Sequence, residues 1–454
     1  MKTAIKIATL TSILMSGAAA IAADSVPDSA LSGRWDAVLT RNGTNIPFRL
    51  DIKGSGADLQ GVFYDGFKPY DGTTSASFKD GKLVLNVEHY LTTINATLKD
   101  GALDGSVVAL NRDSSAQYGF HAVRHVDTAA VNVDAPSIAG TWIIPLDTPS
   151  SKGEKAFRFV VQQQGAEVAA SILRIDGDTG SYSGAYKDGK WVLSHFDGGR
   201  PGVITVTPQP DGTLKVEQRV ARPVASAQEA SYGSDAKTAN AYGNDTTPDG
   251  RYAQVLTAYR SDVAQAKGLP APEDFLTHTV ARDPNEIFTF KYRDVNGKLV
   301  SNDDPQFKNK VVLAIVTGTW CPNCHDEAQY LVQLDQQYRD KGLAIVALDF
   351  EEPEQQGTLA RERAFIKKYG VKYTYLQAGA PAEMWEKVPQ LNHLDTWPAT
   401  VFIGRDGKVK AVHSGFASPA SGAFNTELKQ EFTARIEHLL AEKQAAATTP
   451  ASHG

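Results

Sequence analysis

The sequence predicts a multidomain chain, with an all-β region, read as a duplicated antiparallel sandwich or barrel, followed by a C-terminal α/β domain. Three observations predict it. Asp-Gly turns separate short alternating apolar runs from about Leu31 to Val220, and they recur at a near-constant offset. The stretch Ala221 to Pro248 is rich in Ala, Ser, Asn, Asp and Gly, the composition of a linker. From about Asn285 the pattern changes to strand, helix, strand, helix, hairpin and helix.

The duplication is read from paired echoes. Gly33-Arg34-Trp35 returns as Gly140-Thr141-Trp142, and Lys79-Asp80-Gly81-Lys82 returns as Lys187-Asp188-Gly189-Lys190. Each Lys-Asp-Gly-Lys precedes an alternating run, Leu83–Val87 in one case and Trp191–His195 in the other. Asp100-Gly101 and Asp211-Gly212 form a third pair. Asp-Gly between alternating runs is a strong short-range hairpin signal. The units are set at residues 31–126 and 138–222, followed by a linker with one helix over 223–284, the α/β domain over 285–442 and a disordered tail over 443–454. The linker helix is drawn from about Gly250 to Lys267, with Tyr252, Val255, Leu256 and Tyr259 on one face and Gly268-Leu269-Pro270 closing it.

Length, composition and charge bound the rest. A chain of 454 residues suggests roughly three domains of about 150 residues each. Hydrophobic content of 42%, charge of 22% and a formal charge of −6 are those of an ordinary soluble protein. An acidic balance argues against nucleic acid, which needs a basic face. Lys2 and Lys6, the apolar or small run Ile7–Ala20 and Ala20-Ile21-Ala22 read as a secretory signal peptide over residues 1–22, cut after Ala22 or Ala23. The alternative is an N-terminal membrane anchor, although the run is shorter than the roughly 20 residues that span a bilayer. No later segment reads as transmembrane. The expected location is the periplasm or another exported, oxidising space.

The only cysteines are Cys321 and Cys324, in Trp320-Cys321-Pro322-Asn323-Cys324. The β-branched run Val311–Val316 leads into the pair and a helical pattern, Asp326–Tyr338, leads out. Cys-x-x-Cys at a strand-to-helix junction points to thiol–disulfide chemistry. A purely structural disulfide is the plainer reading, but so small a ring constrains little chain. A metal site on Cys321, Cys324 and His325 would lack a nominated fourth ligand, so no metal is assigned. His89, His121, His125 and His195 in the β region are assigned no site.

The segment from about Asn285 to Leu440, a third of the chain, resembles the thioredoxin superfamily and, within it, the exported thiol–disulfide reductases of the TlpA/ResA type. The resemblance is carried by Gly318-Thr319-Trp320-Cys321-Pro322-Asn323-Cys324, by Thr396-Trp397-Pro398-Ala399-Thr400-Val401-Phe402, and by the hairpin around Asn296-Gly297 with Lys310–Leu313. It implies a thioredoxin-like fold, a redox-active Cys321–Cys324 disulfide with no other cofactor, and the reduction of protein disulfides. A membrane thiol relay is the implied electron source. The β region lies outside the resemblance.

Within that frame Cys321, at a helix N-terminus, is the expected nucleophile and Cys324 the resolving thiol. Pro322 sets the first helical turn, and Trp320 shields one side of the pair. Glu327 is three residues beyond Cys324 and faces the same side of the helix. It matches an acidic residue of ResA-like reductases, and if buried it can exchange a proton with Cys324. A solvated carboxylate is the alternative. Pro398 corresponds to the family's cis-proline, which turns the Trp397 backbone toward the site, where a substrate peptide could pair as an added strand. Trp397 stands where thioredoxins usually carry a smaller residue.

Two other functions compete with this one. A thiol peroxidase would need Thr or Ser three residues before its cysteine and a Pro earlier, where this chain has Gly318 and Ala314. The β region could instead be the main functional part, an envelope-binding or scaffold module.

Overall fold

The computed structural model describes residues 30–41, 43–111, 114–126, 134–178, 180–199, 201–220, 245–246 and 252–442. The predicted signal peptide, residues 223–244 of the predicted linker and the predicted tail lie outside the described residues. No helix among the described residues is long and apolar enough to cross a membrane.

The first unit is an antiparallel sheet of nine strands: β1 (Gly33–Arg41), β2 (Thr44–Lys53), β3 (Gln60–Asp65), β4 (Lys68–Gly72), β5 (Ser75–Lys79), β6 (Lys82–Val87), β7 (Thr92–Lys99), β8 (Ala102–Asn111) and β9 (Ser114–Arg124). The order is β4-β3-β2-β1-β9-β8-β7-β6-β5, an open half-barrel. Alternation drives it. In β6, Leu83, Leu85 and Val87 point inward and are fully buried.

The second unit holds β10 (Gly140–Pro145), β11 (Ala156–Gln164), β12 (Glu167–Leu173), β13 (Tyr182–Lys187), β14 (Lys190–His195), β15 (Gly202–Pro208), β16 (Leu214–Val220), β17 (Asp245–Thr246) and β18 (Tyr252–Arg260). β10 pairs with both β11 and β18, so this sheet closes into a barrel. Closure leaves no free edge on the ring.

The two units share one local lock. The buried indoles of Trp35 and Trp142 each donate to the carbonyl four residues earlier, Leu31 and Ile138, both at 2.9 Å. Arg124 lies 4.1 Å over Trp35 and Arg260 lies 4.3 Å over Trp142. The same arginines donate to the carbonyls of Ser32 and Ala139, each at 2.6 Å. Gly33 and Gly140 both have strongly positive φ, and a Cβ at either would crowd the arginine, at 3.0 and 2.8 Å. The hairpins match too: Lys79 pairs with Lys82 and Lys187 with Lys190, across Asp80-Gly81 and Asp188-Gly189 turns whose four residues all have positive φ.

This lock corrects the linker. The predicted helix over Gly250–Lys267 is instead the strand β18 followed by a six-residue helix, α1 (Ser261–Ala266). Arg260 in the second unit does the work of Arg124 in the first, so the unit ends at residue 260 and not 222. The helical spacing of Tyr252, Val255, Leu256 and Tyr259 is misleading, because Val255 is 52% exposed while Leu256 packs on the barrel core and Ala258 is buried. That is a strand's alternation. The strand wins because β16 and β10 both have edges that β18 satisfies.

The C-terminal domain comprises β19 (Val280–Ala281), β20 (Lys291–Asp294), β21 (Leu299–Ser301), β22 (Val311–Thr317), α2 (Pro322–Tyr338), β23 (Leu343–Phe350), α3 (Pro353–Gln356), α4 (Ala360–Tyr369), β24 (Thr374–Gly379), α5 (Met384–Lys387), β25 (Leu391–Asn392), β26 (Ala399–Ile403), β27 (Val409–Ser414) and α6 (Ala423–Ala441). Its main sheet runs β21-β20-β24-β23-β22-β26-β27. β22 pairs parallel with β23 and antiparallel with β26. All seven β22 residues are buried, as the continuous apolar run requires of a central strand. This is a thioredoxin-like α/β domain. β24 is not among the predicted strands.

Candidate active site at Cys321 and Cys324

The fully buried β22 delivers the turn Gly318–Trp320, and α2 begins directly after it. Cys321 takes the N-cap position with an extended backbone, and Pro322 is the first helical residue. Proline fits there because the first turn leaves its amide positions without helical partners. The Cys321 carbonyl accepts from the amides of Cys324 (3.1 Å) and His325 (3.3 Å). Both cysteines are buried free thiols, at 3% and 2% exposure. Burial pushes the Cys324 thiol well above its ordinary pKa, and the neighbouring Cys321 sulfur adds to the shift.

The predicted site residues converge on this pair. The Trp397–Pro398 bond is cis. The Cys321 thiol donates to the Trp397 carbonyl at 3.4 Å. Trp320 and Trp397 meet edge to face at 5.1 Å, and Trp320 Nε1 donates to the Phe350 carbonyl at 2.9 Å. Gly318 is required there, since a Cβ would come within 2.5 Å of Trp320 Nε1. The two indoles thus pack in the same buried cluster as the cysteines.

Glu327 is buried, so the solvated alternative does not hold. Its Oε1 accepts from the Thr400 hydroxyl, and its Oε2 has no partner among the described residues. Burial raises its pKa to about 8, with the Thr400 bond opposing. A carboxyl whose folded pKa lies above its ordinary value of 4.5 binds more protons in the folded state than in the unfolded one. Its contribution to stability is complete below about 4.5 and is lost as pH rises through about 8. The unfolding free energy of wild type, from urea titrations, should therefore fall relative to Glu327→Gln between those values, by an amount on the order of a few kcal/mol at alkaline pH. Parallel curves for the two proteins would show that Glu327 is not held neutral.

Both β units press on this site, which the sequence did not foretell. From the barrel, the turn after β12 reaches across. Arg174 and Gly177 exchange backbone hydrogen bonds at 3.0 Å, and Gly177 bridges to Phe416. The Asp176 carbonyl accepts from Phe416 N at 3.0 Å and from Asn323 Nδ2 at 2.9 Å. Its carboxylate accepts from the Trp397 amide at 3.4 Å and pairs with Lys152. Asp178, buried and bonded to Ser418 and Ser421, has its pKa raised by burial to about 6. From the half-barrel, Tyr70 donates to Asp326 at 2.8 Å, and the His89 and His325 rings lie 4.5 Å apart. His325 also bonds the Thr319 carbonyl at 2.7 Å. Hence Pro322 to Ala328 are all buried, although they begin a helix.

Of the histidines left unassigned, His89 and His195 lie buried at unit boundaries, while His121 and His125 pair with Asp104 and Asp36. Apart from the cysteines, three buried carboxylates, Asp349, Glu351 and Glu362, converge closely enough to hold a metal ion.

Residues 281–426 match the Redoxin family. The thiol-disulfide oxidoreductase ResA of Bacillus thuringiensis subsp. konkukian is 30% identical over 128 residues, covering 28% of this chain and 64% of that protein. ResA of Halalkalibacterium halodurans is 25% identical over 146 residues, covering 31% of this chain and 73% of the relative. The chain therefore spans 64% of the length of the first of these curated relatives. Among solved structures, a putative thiol:disulfide interchange protein DsbE from Chlorobium tepidum shares 20% identity at a TM-score of 0.28, over 35% of this chain and 99% of its own. The family match begins after both β units.

Proposed function

We propose, from a C-terminal domain that is thioredoxin-like and similar to ResA, that the protein is an exported thiol–disulfide oxidoreductase that reduces protein disulfides. One observation carries the reading: Cys321 and Cys324 open α2 against the Trp397–Pro398 segment, with the buried acid Glu327 one turn further along.

The Cys321 sulfur, as thiolate, attacks one sulfur of a substrate disulfide. That S–S bond breaks, a mixed disulfide forms, and the leaving substrate sulfur takes up a proton. The buried Cys324 thiol then gives its proton to Glu327 in its ionised form, the minor one below about pH 8, and attacks Cys321. The second substrate sulfur leaves as a thiol by taking the proton from Glu327, which is ionised again, and the protein keeps the two-electron deficit as a Cys321–Cys324 disulfide. A thiol donor, in this class of protein a membrane relay, must reduce it again. The cysteine disulfide is the only redox group the cycle needs. The Trp397 backbone is the edge that receives the substrate peptide, and Trp320, Pro322 and Trp397 shape its approach.

Export is supported by the basic, then apolar, then small-residue pattern of residues 1–22. The β units supply access control rather than a passive spacer, because Asp176 bonds the backbone that the substrate would use.

Cys324→Ala should accumulate mixed disulfides on Cys321 that a thiol reductant releases, and mass spectrometry would identify the captured proteins. Capture of nothing under either oxidising or reducing conditions would overturn the assignment. Equilibration with glutathione fixes the direction: a potential near about −120 mV would make the protein an oxidant instead.

A further inference from the structure

We propose that Asp349, Glu351 and Glu362 bind a divalent cation of the oxygen-preferring class, such as calcium, magnesium or manganese. Asp349 lies at the end of β23, Glu351 one residue past that end, and Glu362 in the first turn of α4. Each offers one oxygen, and these oxygens lie within 4.8 Å of one another. A cation that holds oxygens at about 2.0–2.6 Å keeps its ligands no further apart than roughly 5 Å. The separations are therefore compatible with three carboxylates sharing one ion.

Two further observations point to a ligand. All three residues are essentially sealed from solvent, at 0%, 0% and 1% exposure. Within that enclosure Asp349 Oδ2 and both Glu362 oxygens have no hydrogen-bond partner among the described residues. The other oxygens are served: Tyr375 donates to Asp349 Oδ1 at 3.1 Å, and Thr319 and the Glu352 amide donate to Glu351. Buried carboxylate oxygens without donors are costly, and a metal ion is the ligand that three converging carboxylates satisfy together.

The charge balance agrees. Arg361 is the cation paired with this cluster, 3.6 Å from Glu351, but it lies closer to Glu352, at 2.6 Å. Its charge is shared with Glu352, so the three carboxylates, when ionised, keep at least two uncompensated negative charges. The donor set holds no sulfur or imidazole, so it suits hard cations and not copper or zinc. The ion would tie the end of β23 to α4. Through Glu351 and Thr319 it would also steady the turn that presents Cys321. Arg361 extends the tie to the half-barrel, donating to the His89 carbonyl at 3.1 Å.

The test uses the full chain after treatment with a chelator. Manganese titration followed by electron paramagnetic resonance should show one tightly held ion per chain. Calcium, magnesium or manganese at about 1 mM should raise the melting temperature by at least about 3 °C. Glu362→Gln should lose both effects while melting, without cation, at or above the wild-type temperature, because one unpaired buried charge is gone. Asp349→Asn is the second variant, with the same expectation. Overturning results would be a wild-type melting temperature indifferent to all three ions together with no retained manganese, or full retention by both variants. The first would mean that the cluster is neutralised by shared protons, and the second that the ion is held elsewhere.

Discussion

Replacing Cys321 by serine is expected to abolish disulfide reduction, with turnover falling by at least about 10³-fold and the fold unchanged. Serine fits the buried N-cap and can still donate to the Trp397 carbonyl, so packing is kept. What disappears is the sulfur that forms the mixed disulfide. Cys324 cannot replace it. That thiol is 2% exposed, lies inside the helix, and is held neutral by burial. Insulin-disulfide reduction with a small thiol as donor measures the loss. Retention of a tenth or more of wild-type turnover by Cys321→Ser would refute the proposed cycle.

Opening the barrel's cover should raise reactivity by about tenfold or more. Gly177 holds a φ of +117°, and a Cβ there would overlap the Phe416 carbonyl and crowd the Asn323 side chain. Valine is doubly excluded, by backbone conformation and by space. Gly177→Val must therefore lift the Arg174–Gly177 turn, which withdraws Asp176 from the Trp397 amide and from Asn323. The turn also touches the barrel core, Arg174 lying 4.9 Å over the buried Phe157, so the fold of the barrel is measured beside the rate. Stopped-flow alkylation of the reduced protein reads the access of Cys321. A rate equal to wild type, with the barrel shown folded by circular dichroism, would mean that the turn does not guard the pair.

The legible parts of this chain are those coded over a few residues. Asp80-Gly81 and Asp188-Gly189 announce their hairpins because positive φ at both turn positions favours that chemistry. The run into Cys321 reads as a buried central strand, and the cysteine spacing places the site. The illegible parts depend on distant partners. Closure of the barrel rests on Trp142 pairing with Arg260, well over 100 residues away. β18 carries a pattern that suits either period until its neighbours are known. The burial of Glu327 depends on Thr400 and the domain around it, and the cover depends on Asp176 and His89, which sit in stretches without any chemical signature. Asp349 and Glu351, two apart at the end of an apolar run, gave a signal that could have been noticed. Glu362 could not have been joined to them without the fold.

The late stave β18 has a practical consequence for dissecting the molecule. A cut placed where the composition turns loose, near residue 222, would amputate the piece that shuts the ring and the arginine that clamps Trp142. Both flanking edges, β10 and β16, would then be left bare, and such a fragment should self-associate through them. Apparent oligomers of that fragment would report the surgery and not the biology. A faithful excision of the β half has to carry residue 260.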